Sequence, residues 1–339
     1  MGTVAARRMQ QAGMAALFAV MLGLVGETVW TNWGIARNDS RAAKGLKFGF
    51  INTHGELVIP AQFDVAFDFS EGLAPVYEEY RVGYIDTRGS FAISPFFESA
   101  GTFSEGLAPV QVDGLVGYAD QEGAVVITPR FFPAGPFSQG LAPAAIDGVY
   151  GYIGHDGEFV IQPAFSSALP FTEDRAAVEI DELIGFVDTK GAFVIPPRFE
   201  AAGLFAHGRA PVLLDGSWRF IDREGNFTGT ETYDEVGSLA EGLYAFQKDG
   251  LWGYADETGT VVIPAQYEDA KPFAEGLAPV QVNGLFGYID RTGSMAIPPT
   301  YQRAYTFRDG LARVRVAAGK VPNKGRTQSA SADDADSRR

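Results

Sequence analysis

Short runs of alternating apolar and polar residues follow one another along the chain, and turn-forming residues separate them. In one unit, Leu277–Val282 alternates with the period of two that places successive side chains on opposite faces of a strand. Asn283-Gly284 comes next and is a strong signal for a two-residue hairpin. Leu285–Asp290 then predicts a second strand, and Ser294–Ile297 predicts a third after a turn that ends at Gly293. We call these predicted strands a, b and c.

The remainder of the unit predicts a packed return to the next strand a. Pro298-Pro299 predicts the end of regular pairing in strand c, because proline donates no hydrogen bond to a ladder. The segment Tyr301–Phe307 then returns irregularly and places two aromatic side chains in the core. Each unit is therefore predicted to be a three-stranded meander plus a packed loop.

The unit repeats eight times, every 34 residues, without insertion or deletion. A glycine in strand b is present in seven of eight units, the exception being Arg219, and an aromatic residue follows this position in every unit. A turn glycine and a second aromatic residue recur in all eight units: Gly55, Gly89, Gly123, Gly157, Gly191, Gly225, Gly259 and Gly293, with Phe63, Phe97, Phe131, Phe165, Phe199, Tyr233, Tyr267 and Tyr301. Such self-similarity is the signature of an all-β repeat array.

The repeated residues have structural explanations. The glycine in strand b permits close approach of a neighbouring backbone, and the turn glycine supplies a positive φ. An aspartate commonly ends strand b, as at Asp290, where it can accept hydrogen bonds from the turn amides. Burying the recurrent aromatic rings supplies much of a core that one short unit cannot build alone.

The unit resembles the WG-repeat family, also called KWG repeats. The closest match is Trp252-Gly253-Tyr254-Ala255-Asp256 followed by Val261-Val262-Ile263-Pro264. The resemblance implies a binding or scaffolding module of the kind found in bacterial, often surface-exposed, proteins, with no catalytic constellation to carry over. Two departures from the repeat, Arg219 and Asp174-Arg175, mark units that either make a specific contact or have drifted.

The phase of the repeat favours a closed array. The first unit begins inside strand b, at Lys47–Asn52, and the last ends with an additional strand a, Leu311–Val316. If that last strand completes the first unit, the ring is locked as in many β-propellers. The alternative is an open β-superhelix or solenoid, which would favour polar caps at its ends; in its favour, a propeller blade usually has four strands.

The N-terminus predicts export. Arg7 and Arg8 precede Ala12–Gly26, an uncharged apolar segment that is short for a membrane span and typical of a signal-peptide core. The alternative is an uncleaved membrane anchor over residues 12–30. The predicted organisation is thus a signal peptide or anchor at 1–36, a linker at 37–46, the eight repeats at 47–318, and a disordered polar tail at 319–339.

Composition removes several classes of function. The net charge of −15 opposes non-specific nucleic-acid binding. The chain has no cysteine, hence no thiolate metal site or cysteine nucleophile. Its three histidines, His54, His155 and His207, lie in predicted turns, and the His155-Asp156 pair is interpreted as a solvated turn rather than a catalytic dyad.

Five carboxylates that follow the recurrent aromatic are the remaining chemical candidates: Asp64, Glu98, Glu200, Asp234 and Glu268. A ring of acids could bind Ca²⁺ or supply a glycosidase pair. Because these acids recur with the fold, a shared structural bond or a solvated rim is the favoured interpretation. No catalytic, cofactor-binding or metal-binding residue is therefore predicted, and no cofactor.

The sequence predicts an exported, periplasmic or extracellular, non-enzymatic protein whose repeat-built surface holds a protein, peptide or glycan partner. No nucleic-acid partner is expected, and a membrane is contacted only if the N-terminal segment stays uncleaved. The alternative function is a hydrolase or lyase on a propeller-like frame, with acids gathered at a channel mouth.

Overall fold

The computed structural model describes residues 45–317, whose regular elements are all β-strands. They form eight sheets, one for each repeat, arranged in a ring as an eight-bladed β-propeller. The predictions for residues 1–36 and 319–339 lie outside the described residues. Among residues 45–317 we find no helix with the length and apolar character that a membrane crossing requires.

The first blade joins the two ends of the repeat region: β1 (Leu46–Asn52), β2 (Leu57–Phe63), β28 (Arg303–Ala304) and β29 (Leu311–Ala317). Blades two to four contain β3 (Leu73–Glu78), β4 (Arg81–Asp86) and β5 (Phe91–Phe97); β6 (Ser99–Ala100), β7 (Ala108–Val112), β8 (Leu115–Ala119) and β9 (Val125–Phe131); and β10 (Ala142–Ile146), β11 (Val149–Ile153) and β12 (Phe159–Phe165).

Blades five and six contain β13 (Ser167–Ala168), β14 (Ala176–Ile180), β15 (Leu183–Val187) and β16 (Phe193–Phe199); and β17 (Ala201–Ala202), β18 (Arg209–Leu214) and β19 (Ser217–Asp222). Blades seven and eight contain β20 (Glu235–Val236), β21 (Leu243–Lys248), β22 (Leu251–Asp256) and β23 (Val261–Tyr267); and β24 (Asp269–Ala270), β25 (Leu277–Val282), β26 (Leu285–Asp290) and β27 (Met295–Tyr301).

The ring closes through the predicted exchange of a terminal strand. β29 pairs antiparallel with β1 along seven residues, from Leu46 opposite Ala317 to Asn52 opposite Leu311. The last strand a of the chain thereby completes the first blade, which confirms the closed array and excludes the open superhelix.

Strand c differs from the prediction. It does not end at Pro298-Pro299: β27 continues to Tyr301, and its register with β26 shifts where the prolines lie. The missing proline donors fall at this irregularity, where a ladder can tolerate them. The return segment also adds a two-residue strand beside strand a in most blades, so five of the sheets have four strands.

The core of each blade is built from the recurrent aromatic residues. In the eighth blade the Tyr288 ring lies 5.0 Å from that of Phe307 and 6.3 Å from that of Tyr301, measured between centroids, and all three are buried. The Tyr288 hydroxyl donates to the Tyr305 carbonyl at 2.9 Å, so its polar end is satisfied. The predicted burial of two aromatics from the return segment is thus confirmed at Tyr301 and Phe307.

Candidate binding surface

The alternating direction of the strands gives the ring two different faces. In blades two to eight each strand a meets its strand b at a two-residue hairpin, and these seven hairpins define the hairpin face. The b–c turns and the turns that precede strand a lie at the opposite ends of the strands and define the turn face. A hydrogen bond of 3.0 Å from Gln121, in a b–c turn, to Glu71, in a turn before strand a, joins the two kinds of turn.

The turn face carries a ring of polar side chains at one repeat position, six of them acidic. Seven of these eight side chains, all except His207, accept a hydrogen bond from a backbone N–H of the following repeat at 2.7–3.2 Å. One of these bonds, from the Gly72 N–H to Asp309, joins the last repeat to the first. All eight residues have φ between 49° and 56°. They are Glu71, Glu105, Gln139, Glu173, His207, Glu241, Glu275 and Asp309.

Several carboxylates of this ring also have a basic side chain as a partner, 50 residues further along the chain. Arg223 lies 3.5 Å from Glu173, Arg291 lies 3.6 Å from Glu241, and His155 Nε2 lies 3.1 Å from Glu105. Among the described residues, no cluster of three or more His, Asp or Glu side chains is arranged to hold a metal ion. These carboxylates therefore connect neighbouring blades. The Glu-Gly pair that precedes strand a in four of the repeats is the sequence signal for this role, and it was not among the predicted sites.

The five acids singled out from the sequence lie at the hairpin face. Glu98 accepts from the N–H of Gly114 at 3.0 Å, Glu268 from Gly284 at 2.8 Å, and Asp234 from Asp249 at 3.0 Å. Asp64 pairs with Lys47 at 2.5 Å, and Glu200 is exposed. The five acids belong to separate repeats, and the three that bond to hairpins bond to different ones. The structure therefore does not bring them together as a catalytic pair.

The three histidines are dispersed in the same way. The His54 N–H donates to Asn52 Oδ1 at 3.1 Å. His155 packs its ring 4.4 Å from that of Phe137, and its neighbour Asp156 accepts the N–H of Glu158 at 3.0 Å. His207 Nδ1 lies 3.8 Å from Glu257.

The two departures from the repeat have different structural settings. Asp174 takes the place of the turn glycine and, with φ of 60°, donates its N–H to Gln139 Oε1 at 2.9 Å, so the blade contact is kept. Arg219 replaces the strand-b glycine in the sixth blade, where strand c is reduced to isolated bridges at Tyr233 and Phe227. Its guanidinium lies 5.1 Å from the centre of the Phe227 ring.

Ionisable groups with shifted pKa values do not form a site either. Burial raises the pKa of the core tyrosines, including Tyr84 and Tyr152, and their hydroxyls donate to backbone carbonyls. Burial and the nearby Glu182 raise the pKa of Glu179, and burial with Asp269 and Asp234 raises the pKa of Glu235. The two glutamates belong to the fifth and seventh blades and cannot act on one bond.

The hairpin face of the second to fourth blades carries exposed aromatic residues at positions that are polar, small or glycine in nearly all other repeats. Tyr80 is 95% exposed, Phe96 is 63% exposed and Phe132 is 41% exposed. Tyr80 lies at a hairpin tip, Phe96 lies near the end of β5, and Phe132 directly follows β9. Phe132 occupies the repeat position that is acidic at Asp64, Glu98, Glu200, Asp234 and Glu268. None of the three aromatic residues was predicted as a site, although each differs from its counterparts in the other repeats.

The fold is a β-propeller built from repeats. The polar side chains described above hydrogen-bond turns and neighbouring blades, and they do not meet at one site. The WG containing repeat matches eight times, at residues 48–80, 83–115, 117–150, 150–183, 184–218, 218–252, 252–286 and 286–319. The chain belongs to this WG-repeat family, as its sequence motifs predicted.

Comparison with solved structures finds neighbours at low sequence identity. One is described as dihydro-heme d1 dehydrogenase NirN in complex with DHE, with a TM-score of 0.48, 11% identity, and coverage of 74% of this chain and 72% of that one. Another, YCF48 bound to D1 peptide, has a TM-score of 0.42, 8% identity, and coverage of 80% and 97%. PorZ, a bacterial surface component of the type-IX secretion system of Porphyromonas gingivalis, has a TM-score of 0.42, 9% identity, and coverage of 74% and 39%. These identities and TM-scores are too low to indicate a function. A search of curated proteins found none that matches the sequence.

Proposed function

We propose that this protein is an exported, non-enzymatic binding or scaffold propeller that holds a protein, peptide or glycan partner. The observation that carries the proposal is the contrast between its polar and aromatic residues. Most of the recurrent carboxylates, among them Glu98 and Glu268, accept hydrogen bonds that hold turns and blades. Tyr80, Phe96 and Phe132, by contrast, are exposed to solvent at the hairpin ends of their blades. Exposed aromatic side chains that are grouped on one face are typical of binding surfaces.

Export is supported by the sequence. Ala12–Gly26 has the length and apolar character of a signal-peptide core, and the absence of cysteine suits a protein outside the cytoplasm. Mass spectrometry of the N-terminus of the protein recovered from cell fractions tests this part. We expect cleavage after a residue between 26 and 36, hence a new N-terminus between residues 27 and 37. A full-length chain in the membrane fraction would instead favour the anchor.

The non-enzymatic part is tested with panels of chromogenic glycosides, esters and polysaccharides as substrates for the purified protein. We expect no turnover, and we expect Asp64→Asn, Glu98→Gln, Asp234→Asn and Glu268→Gln to change stability only. Hydrolysis that is lost in one of these variants, while its circular dichroism and melting temperature are retained, would replace the binding protein by a hydrolase.

A further inference from the structure

We propose that the hairpin face of blades two to four binds a protein segment that combines apolar and cationic side chains. The surface, which we call the aromatic patch, consists of Tyr80, Phe96 and Phe132 together with the hairpins at residues 112–115 and 146–149. This inference rests on the proposed binding function and specifies its site and the chemistry of the partner.

The apolar part of the patch replaces polar groups of the repeat. At the position of Phe96 the other blades have Gln62, Arg130, Ala164, Arg198, Thr232, Gln266 and Thr300. At the position of Phe132 the second and seventh repeats have Glu98 and Glu268, each of which caps the hairpin of the next blade. The Phe132 N–H donates to the Ala145 carbonyl at 2.9 Å, so Phe132 lies beside the hairpin of the fourth blade. Ile146 and Val149 of that hairpin are 40% and 41% exposed.

Tyr80 has a backbone conformation that an aromatic residue adopts only at a cost. Its φ is 71°, in the left-handed region, and five of the other six hairpins place a glycine there, namely Gly114, Gly148, Gly216, Gly250 and Gly284. The conformation costs an L-residue roughly 1–2 kcal/mol. A ring that is 95% exposed recovers almost none of this by burial within the chain, so its presence is best explained by a contact outside the chain.

The charge around the patch selects the partner. Exposed carboxylates surround the aromatic residues at Glu78, Glu79, Asp113 and Asp147. The one guanidinium of these three hairpins, Arg81, already contacts the Phe96 carbonyl at 3.3 Å and Glu98 at 4.0 Å. An apolar surface bordered by carboxylates is complementary to apolar side chains interspersed with Lys or Arg. A second copy of this chain would bring the same negative charges together and is disfavoured.

The test is selection of a displayed random 12-residue peptide library on the immobilised full chain, followed by fluorescence anisotropy with the selected peptides. We expect enrichment of peptides that carry Lys or Arg beside Leu, Phe or Trp, with affinity that falls as salt rises. Tyr80→Gly and Phe96→Gln are each expected to weaken binding about tenfold or more, the effect of losing an aromatic hot spot.

Two matched variants control for the substitutions themselves. Glu182→Gly makes the same backbone change at the corresponding position of the fifth blade, where Glu182 has φ of 65°. Val262→Thr removes an apolar side chain that is 44% exposed on the seventh blade. Both are expected to leave peptide affinity unchanged. Tyr80→Gly should keep or raise the melting temperature, so a loss of binding cannot be attributed to unfolding.

The possible outcomes separate this inference from the proposed function. Selected peptides without cationic residues, binding that Tyr80→Gly and Phe96→Gln leave unchanged, or a selection without enrichment would overturn the aromatic patch as a site for cationic segments. Glycan binding that is lost in Tyr80→Gly would also overturn it, although the proposed binding function would stand. Enzymatic turnover in the substrate panels would overturn the proposed function itself.

Discussion

At the scale of single residues, the glycine of strand b determines whether a blade can include strand c. A Cβ built on Gly287 would lie 2.5 Å from the Ile297 carbonyl oxygen and 2.7 Å from the Pro299 nitrogen, both in β27. Gly253 is in the same situation against Ile263 and Ala265. The sixth blade shows the counterpart, because it has Arg219 at this position and no regular strand c. Arg219 is recognisable from the sequence as a departure from the repeat. The sequence does not show that strand c is the element that requires the glycine.

We therefore expect Gly287→Ala to destabilise the protein by about 2–3 kcal/mol, since the backbone of β27 must move away from the added methyl group. Chemical denaturation measures the free energy of unfolding. Gly237→Ala is the control: its Cβ would meet nothing closer than 3.6 Å and its φ is not positive, so a change within about 0.5 kcal/mol is expected. Equal decreases in the free energy of unfolding of the two variants would contradict the steric role of Gly287.

At the scale of elements, the b–c turns are held by the aspartate at the end of strand b. Asp290 Oδ1 accepts hydrogen bonds from the Thr292 hydroxyl at 2.6 Å, the Thr292 N–H at 2.9 Å and the Ser294 N–H at 3.0 Å. The hydroxyl contributes most to a lowered pKa of Asp290, because each bond favours the charged form. The carboxylate thus stabilises the fold above the unfolded-state pKa, and this contribution is lost as pH falls through the lower folded-state pKa.

Thr292→Val is expected to raise the pKa of Asp290 towards its ordinary value, because the strongest of these hydrogen bonds is removed. Carboxyl carbon chemical shifts followed during an NMR titration measure the pKa. Asp256, which Thr258 holds in the same way at 2.6 Å, is the internal control and should titrate unchanged. An unchanged Asp290 titration would mean that the backbone N–H groups alone lower its pKa.

The elements also show how far the sequence could predict the fold. Hairpins, turns and core aromatics follow local rules of spacing and turn chemistry, so they were predicted from one unit. The continuation of β27 past Pro298 was not, because it depends on the close approach to Gly287 in another strand. The aromatic patch likewise depends on which departures from the repeat reach the same face, and a unit read alone does not contain that information.

At the scale of the whole molecule, a buried ion pair at the point of closure supplements the paired strands. Arg313 of β29 donates to Asp68 Oδ1 and to the Ala66 carbonyl at 2.6 and 2.5 Å, and its guanidinium stacks 3.5 Å from the centre of the Tyr305 ring. The pair joins residues 245 positions apart in the chain. Other blades have Pro75 with Thr102, or Pro279 with Thr306, at these two positions.

Asp68→Asn is expected to destabilise the protein by about 3–5 kcal/mol, because it leaves the buried guanidinium without its counter-charge. The double variant Asp68→Thr with Arg313→Pro reproduces the pair found in other blades and should recover most of that loss, within about 1 kcal/mol of the unaltered protein. Chemical denaturation of the unaltered protein, the single variant and the double variant measures their free energies of unfolding. A double variant as unstable as the single one would show that closure requires more than the removal of an unpaired charge.

Because the ring closes through β29, we expect this strand to stabilise the whole ring rather than one blade, and truncation tests this directly. Removal of residues 327–339 should leave the melting temperature nearly unchanged, because β29 and the contacts among residues 45–317 stay in place. Removal of residues 310–339 takes away β29, its seven paired positions with β1 and the Arg313–Asp68 bond. That variant should melt markedly lower and aggregate, since the freed edge of β1 can template association. A small drop in melting temperature after the larger deletion, with a small-angle scattering profile that is still compact, would show that closure contributes little to stability. Such a result is expected if each repeat is stabilised mainly by its neighbours.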